Sequence, residues 1–210
     1  IAHASIFLTS AQIRAALIPQ TAIVIGRTTL SRSINAFLKL APTQVVIDPR
    51  MATVDSDRHA DKRFTQLPVL NTHKASPEWL EQWDKYALRC AKSIDALTGF
   101  TEAVIAKEIA ANLPEGSTLF VSSSRPIRDL EGFATPRSGV TTHANRGLAG
   151  IDGNISTALG IALASKQTFA VLGDLSFLHD LTGLIHREEI NCSFIVINND
   201  GGGIFSTLPQ

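Results

Sequence analysis

Short apolar runs separated by longer amphipathic stretches make up most of this 210-residue sequence. Apolar runs of roughly 4–8 residues bounded by turn residues are typical of buried strands, whereas longer periodic stretches indicate helices. Early in the chain the pattern predicts a strand at 21–25, a helix from Ser31 to about Lys39, a strand at 43–48 and a short strand at 67–70. The first three elements form a βαβ unit with parallel strands.

A second series of elements follows a predicted helix at 77–90, which has Pro77 in its first turn. The series is helix 101–112, strand 118–122, helix 125–131, strand 139–142, helix 154–165, strand 168–172, helix 177–189 and strand 192–197. Because alternating strands and helices form parallel sheets covered on both faces, the sequence predicts an α/β protein with parallel sheets flanked by helices. We expect two domains, residues 1–77 and 78–210.

Composition and charge make several classes of function unexpected for this chain. Nineteen basic and nineteen acidic residues cancel, so neither nucleic acid nor an anionic membrane surface is expected as a partner. No apolar run reaches about 18 residues, so no membrane span is expected. Cys90 and Cys192 lie far apart and lack metal-finger spacing, which favours a cytoplasmic protein with incidental thiols. Because the chain begins with Ile1 and has its one methionine at Met51, we expect an internal piece of a longer protein.

Two predicted strands end in residues that do not suit a core. Strand 168–172 is followed by Gly173-Asp174, and strand 192–197 is followed by NNDGGG. Ligands of doubly wound sheets bind beyond the carboxyl ends of the strands. There a carboxylate, an amide oxygen and a backbone carbonyl would suit Mg²⁺, which substrate phosphates often complete, and helix N–H groups attract phosphate. From spacing alone, a helix cap at Asp174 and a plain glycine turn explain the residues equally well.

The spacing from Gly173-Asp174 to Asn198-Asn199 resembles the diphosphate signature of thiamine-diphosphate-dependent enzymes. Three segments are similar to one branch of that superfamily, the 2-succinyl-5-enolpyruvyl-6-hydroxy-3-cyclohexene-1-carboxylate (SEPHCHC) synthases of menaquinone biosynthesis. They are GDLS with NNDGGGIFSTLP, ANRGLAGIDGNISTALGIA (144–162) and SSSRPIRDLE (122–131). The match is good from about residue 77 onward and loose before it. Leu175 departs from the pattern, since most of the superfamily has glycine there.

The resemblance implies thiamine diphosphate and Mg²⁺ or Mn²⁺ as cofactors. The implied metal ligands are Asp174, the amide oxygen of Asn199 and the carbonyl of Gly201. Ile151 would be the apolar wedge beneath the thiazolium ring, although core packing is the plainer interpretation of an isoleucine. The remaining implied cofactor-binding residues are Gly150, Gly173, Leu175 and Ser176. Residues 1–77 would then be part of a central Rossmann-like domain, and 78–210 a diphosphate-binding domain truncated at its C-terminus.

The family's substrates, 2-oxoglutarate and isochorismate, are dicarboxylates, and arginine pairs carboxylates with two parallel hydrogen bonds. Arginines on a solvated surface are the alternative interpretation. The implied substrate-binding residues are Arg32, Ser124, Arg128, Arg146, Ile204 and Phe205. Ser124 and Arg128 are four residues apart and share a helical face if that segment is a helix.

The implied reaction is decarboxylation of 2-oxoglutarate followed by 1,4-addition of the resulting succinyl-semialdehyde carbanion to isochorismate, in a homodimer or a dimer of dimers. The superfamily's initiating glutamate belongs to a pyrimidine-binding domain that precedes the central domain. We therefore expect no catalytic residue within 1–210, and an inactive chain when it is isolated. Two alternatives stay open: an acetohydroxyacid synthase or 2-oxoacid decarboxylase, and a non-catalytic Rossmann-like nucleotide-binding module.

Overall fold

The computed structural model describes residues 1–28, 30–50, 60–69, 76–185 and 189–207. The chain divides into two compact units, Ile1–Asp95 and Ala96–Gln210. Each unit contains a sheet of parallel strands with helices between them, which confirms the predicted fold class. The described residues contain no helix that is both long enough and apolar enough to cross a membrane.

The first unit contains the predicted βαβ pattern. Its elements are α1 (Ala4–Phe7), α2 (Ala11–Ala16), β1 (Thr21–Ile25), α3 (Arg32–Leu38), β2 (Thr43–Ile47), β3 (Lys62–Phe64) and α4 (Pro77–Asp95). The strands pair in the order β1-β2-β3. Helix α3 begins where the hydroxyl of Ser31 accepts a hydrogen bond from the N–H of Ile34, which satisfies an otherwise unpaired helix N–H.

The predicted strand at 67–70 is wrong. Residues 67–69 are not a strand, and residue 70 lies outside the described residues. The third strand is β3 instead, which pairs with β2 through Val45 and Lys62. Apolar periodicity did not indicate β3 because two of its three residues are charged, as is common for a strand at the edge of a sheet.

The second unit contains four strands in the order β5-β4-β6-β7, all parallel. Its elements are α5 (Glu102–Asn112), β4 (Thr118–Val121), α6 (Arg125–Phe133), β5 (Thr141–His143), α7 (Asn154–Ala162), β6 (Thr168–Gly173), α8 (Asp174–His179), a 3₁₀-helix (Leu181–Leu184), β7 (Cys192–Ile197) and a second 3₁₀-helix (Gly203–Thr207). Alternate residues of the central strands enter two separate cores, one on each face: Phe120 and Ala170 in the first, Val121 and Val171 in the second.

The predicted helix at 177–189 is wrong in its bounds, since only its residues 177–179 are α-helical in the described part of the chain. Helix α8 begins directly after β6, ends at His179 and is followed by the first 3₁₀-helix, and residues 186–188 lie outside the described residues. The buried carboxylate of Asp180 accepts hydrogen bonds from the N–H of Ser156, at 2.7 Å, and from its hydroxyl, at 3.1 Å. This contact with the first turn of α7 fixes the chain where the sequence pattern predicted a continuing helix.

Candidate diphosphate and metal site

The two strands that end in polar residues lie side by side. Strands β6 and β7 pair in parallel up to Gly173 and Ile197, as we expected from the helix that joins them. Asp174 follows the first strand directly and Asn199 stands two residues beyond the second. The carboxyl ends of both strands therefore place these side chains at one edge of the sheet.

A pocket of about 170 Å³ lies at this edge. Nine of the predicted site residues line it: Ser124, Ile151, Gly173, Asp174, Leu175, Ser176, Asn199, Ile204 and Phe205. Four predicted residues of the same unit are not among its lining residues: Arg128, Arg146, Gly150 and Gly201. Arg32 belongs to the first unit, as the first residue of α3.

The start of α8 leaves backbone N–H groups available to a ligand. Its N-cap is Gly173, which has no side chain to accept from them, and Asp174 is already the first helical residue. The interpretation of Asp174 as a helix cap is therefore wrong. The described residues contain no group of three or more His, Cys, Asp or Glu placed to hold a metal ion. A cation at this pocket would therefore also need oxygen ligands other than carboxylates. One carboxylate with amide, backbone and phosphate oxygens fits Mg²⁺.

The glycine loop after β7 has an unusual backbone. Asp200, Gly201 and Gly202 have φ angles of 60°, 76° and 67°, so three successive residues are left-handed. Glycine adopts this region without steric cost, and aspartate is among the few other residues that tolerate it. The N–H of Asp200 also donates to the side-chain oxygen of Asn198 at 3.0 Å, which stabilises the turn. The glycines are therefore required by the path of the loop.

The amide of Asn199 has a defined orientation. Its Nδ2 donates to Oε1 of Glu102 at 3.1 Å, so its oxygen is at the opposite end of the amide from this contact. Asn199 is half-buried and lines the pocket. This orientation leaves an amide oxygen to bind a cation.

A buried hydrogen-bond chain joins the start of α8 to the loop that carries Ile151. The hydroxyl of Ser176 donates to the carbonyl of Ile151 at 3.0 Å and accepts from Nδ2 of Asn154 at 2.9 Å. The same nitrogen lies 3.4 Å from the carbonyl of Gly150, and Asn154 is completely buried. Ser176 therefore has its N–H, rather than its hydroxyl, to offer a phosphate. Asn154 was not predicted from the sequence, because its role depends on a contact with a residue 22 positions further along the chain.

Arg125 lines the pocket and was not predicted as a site residue. Its Nη2 lies 3.1 Å from Oδ1 of Asp129 and 3.9 Å from Oε2 of Glu102. Arg128 instead turns back along its helix, where Nη1 donates to the carbonyl of Ser124 at 2.6 Å. Ser124, directly before α6, has a φ of 77°, a strained conformation of the kind that clusters at functional sites. The position of Arg125 directly after Ser124 was the signal that could have found it.

Comparison with known proteins tests the resemblance to the SEPHCHC synthases. No family model matches the chain. It is 39% identical over 204 residues to a SEPHCHC synthase of Thermobifida fusca, covering 91% of this chain and 37% of that protein. The resemblance is confirmed. The SEPHCHC synthases of Bacillus cytotoxicus (37% identical, 91% of this chain, 36% of that protein) and Lysinibacillus sphaericus (39%, 96% and 38%) are also similar.

The similarity to the SEPHCHC synthases includes most of both units, since it covers more than nine-tenths of the chain. The chain spans a little over a third of the length of the curated relatives it matches. The first unit, where the motifs were loose, therefore also resembles these synthases.

Proposed function

We propose that this chain is the part of a SEPHCHC synthase that binds the diphosphate of thiamine diphosphate through Mg²⁺. The whole protein would decarboxylate 2-oxoglutarate and add the product to isochorismate, as a homo-oligomer. The observation that supports this most directly is that Asp174 and Asn199 line one pocket at the ends of paired strands. The names of the similar proteins support the choice of reaction.

In this proposal the chain's own residues hold and orient the cofactor. The carboxylate of Asp174, Oδ1 of Asn199 and the carbonyl of Gly201 would bind the metal, and the first N–H groups of α8 would bind phosphate oxygens. Ile151, on the pocket wall, would be the apolar support for the ring system. When bound, thiamine diphosphate supplies the electron sink for decarboxylation of a 2-oxo acid.

The substrate carboxylates need cations. We retain Arg128, Arg146 and Arg32 as proposed carboxylate-binding residues, with Ser124, Ile204 and Phe205 on the pocket wall. Arg125 adds a cation in the pocket that the resemblance did not imply. Because the carboxylate of Asp129 lies 3.1 Å from its Nη2, an incoming anion would compete with that carboxylate for Arg125.

The metal-binding role is tested by Asp174→Asn in the full-length protein that contains this chain. Losing a charged ligand should weaken thiamine diphosphate binding in the presence of Mg²⁺ by about 10- to 100-fold, since hydrogen bonds and contacts to charged groups are worth roughly 1.5–3 kcal/mol. Calorimetry measures the affinity. Asp200→Asn is the matched control, because it removes one exposed carboxylate at the same sheet edge and should leave the affinity within about twofold.

Other outcomes distinguish the alternatives. An unchanged affinity in Asp174→Asn, or no binding by the unsubstituted protein, would support a non-catalytic module in which both loops are turns. Normal cofactor binding with turnover of pyruvate in preference to 2-oxoglutarate would support an acetohydroxyacid synthase or a 2-oxoacid decarboxylase instead.

A further inference from the structure

The side chain of Asn199 contacts two other segments. Oε1 of Glu102 accepts from Nδ2 at 3.1 Å, a contact between residues 97 positions apart. The bare Cα of Gly203 also lies against the amide, and a Cβ there would come within 2.4 Å of Nδ2, 2.8 Å of Cγ and 3.1 Å of Oδ1. The amide is therefore in contact with both α5 and the end of the glycine loop.

Glu102 is itself fixed in place. It is the first residue of α5, after Thr101, whose hydroxyl accepts from the N–H of Val104 at 3.4 Å. A carboxylate in the first turn of a helix is stabilised by the helix dipole. Its second oxygen, Oε2, faces Nη2 of Arg125 at 3.9 Å, and its side chain is 31% exposed. Glu102 therefore meets Asn199 as a partly buried, oriented carboxylate.

We propose that Glu102 is the positioning residue that sets the orientation of the Asn199 amide. An ionised carboxylate can only accept hydrogen bonds, so it binds the NH₂ end of the amide and excludes the oxygen. A rotation of the amide by half a turn would set Oδ1 against Oε1, two acceptors of which one is charged. Glu102 thereby keeps Oδ1 directed away from α5 and available to a divalent cation. The inference rests on the proposed function, since it concerns the same metal ligand.

Mn²⁺ binding to the full-length protein in the presence of thiamine diphosphate tests the inference without measuring turnover. Residues that orient metal ligands typically cost about 10- to 100-fold in metal affinity when removed. We expect a loss of that size for Glu102→Ala, measured by electron paramagnetic resonance of free Mn²⁺. Glu102→Gln keeps an oxygen that can accept from Nδ2 but also gains an NH₂ group that can donate to Oδ1, so its loss should be measurable but smaller than that of Glu102→Ala.

Glu108 supplies the matched control. It lies on the same helix with its carboxylate near Nδ2 of Asn112, at 3.3 Å, and Nζ of Lys107, at 3.8 Å. Glu108→Ala removes one carboxylate from α5 without touching the glycine loop, and it should leave Mn²⁺ affinity unchanged. An equal loss in Glu108→Ala and Glu102→Ala would overturn the inference, because the effect would then come from the charge of the helix.

A second pair of variants separates orientation from a purely structural effect. Asn199→Asp places a carboxylate against that of Glu102, whereas the NH₂ group of Glu102→Gln can donate to the new carboxylate. We expect the double variant to bind Mn²⁺ at least about tenfold more tightly than Asn199→Asp alone. Equal affinities of the two would overturn the inference.

The Mn²⁺ measurements distinguish a failure of the proposed function from a failure of the inference about Glu102. If the unsubstituted protein binds no Mn²⁺ with thiamine diphosphate, the proposed function fails and the inference with it. If it binds Mn²⁺ and Glu102→Ala binds equally well, the metal site stands and the positioning role of Glu102 is wrong.

Discussion

Asp129 shows how burial and charge act on one side chain next to the pocket. It is 4% exposed on α6, and burial raises the pKa of its carboxyl from 3.8 to about 6. The Arg125 guanidinium opposes this rise in pKa, and the neighbouring Glu102 carboxylate adds to it. Among the described residues its Oδ2 has no hydrogen-bond partner. The charged form of Asp129 is therefore less favourable in the folded protein than in the unfolded chain.

This raised pKa predicts a pH-dependent effect of Asp129→Asn. Between pH 3.8 and about 6 the folded state holds the proton more firmly than the unfolded state, so the stability contributed by Asp129 falls as pH rises through that window. The Asp129→Asn variant has no carboxyl group at this position, so it does not lose this stability as pH rises. Relative to the unsubstituted chain, its free energy of unfolding should rise by roughly 1–3 kcal/mol from pH 4 to pH 7.

Urea unfolding followed by circular dichroism at several pH values measures the difference. Asp200→Asn is the control, because it removes one exposed carboxylate from the same unit. A flat difference for Asp129→Asn would show that the carboxyl titrates near its ordinary pKa.

At the scale of elements, α7 and the first 3₁₀-helix pack too closely for a side chain at Gly183. A Cβ there would lie 2.7 Å from Oγ of Ser156 and 3.1 Å from its backbone nitrogen. The carboxylate of Asp180 holds the two elements at this separation through its hydrogen bonds to Ser156. The glycine is therefore required by close packing, and not by its backbone conformation.

Gly183→Ala should destabilise the protein by about 1–3 kcal/mol, because the backbone of Ser156 cannot move aside without shifting α7. Gly160 is the matched control on α7: it is exposed, and a Cβ there meets nothing within 4 Å. Gly160→Ala should stabilise the protein by up to about 1 kcal/mol, since alanine loses less backbone entropy in a helix. Thermal unfolding measures both. Equal effects of the two substitutions would contradict this account of the packing.

The sequence predicted those strands and helices whose formation depends on the local pattern of apolar and polar residues. Strands β1, β4, β6 and β7 each contain three or four consecutive apolar residues and were found within about a residue of their ends, and the parallel sheets followed from them. Helices α1 and α2 were missed because they are only four and six residues long. Helix α8 was placed wrongly because long-range contacts of Asp180 override the local pattern.

The residues of the candidate site also divide into those that local sequence predicts and those that depend on long-range contacts. Residues adjacent to strand ends, such as Asp174 and Asn199, were found because the topology of a parallel sheet brings those ends together. Glu102 and Asn154 were missed because each acts through a side-chain contact that no local spacing reveals. Motif spacing also favoured Arg128, whereas the structure places Arg125 on the pocket wall.

At the scale of the whole molecule, the proposed functions are divided unequally between the units. All of the proposed cofactor and metal ligands belong to the unit Ala96–Gln210, and Arg32 is the one proposed site residue in Ile1–Asp95. The aromatic residues Trp79, Trp83 and Tyr86 all belong to the first unit. Tryptophan fluorescence therefore reports on a unit that carries none of the proposed cofactor ligands, and a probe that resolves individual segments is needed.

Hydrogen exchange of backbone amides supplies that probe in the full-length protein. A ligand that binds the folded site suppresses the openings that release it, by up to about 100-fold at a concentration roughly 100 times its Kd. Thiamine diphosphate with Mg²⁺ should slow exchange at the amides of 174–176 and 199–203, two segments that include the pocket-lining residues Asp174, Asn199 and Gly203. Amides in β1 and β2 should exchange at unchanged rates and are the internal reference. Protection of β1 and β2 with none at 174–176 would place the cofactor elsewhere, because the start of α8 is where its phosphates are proposed to bind.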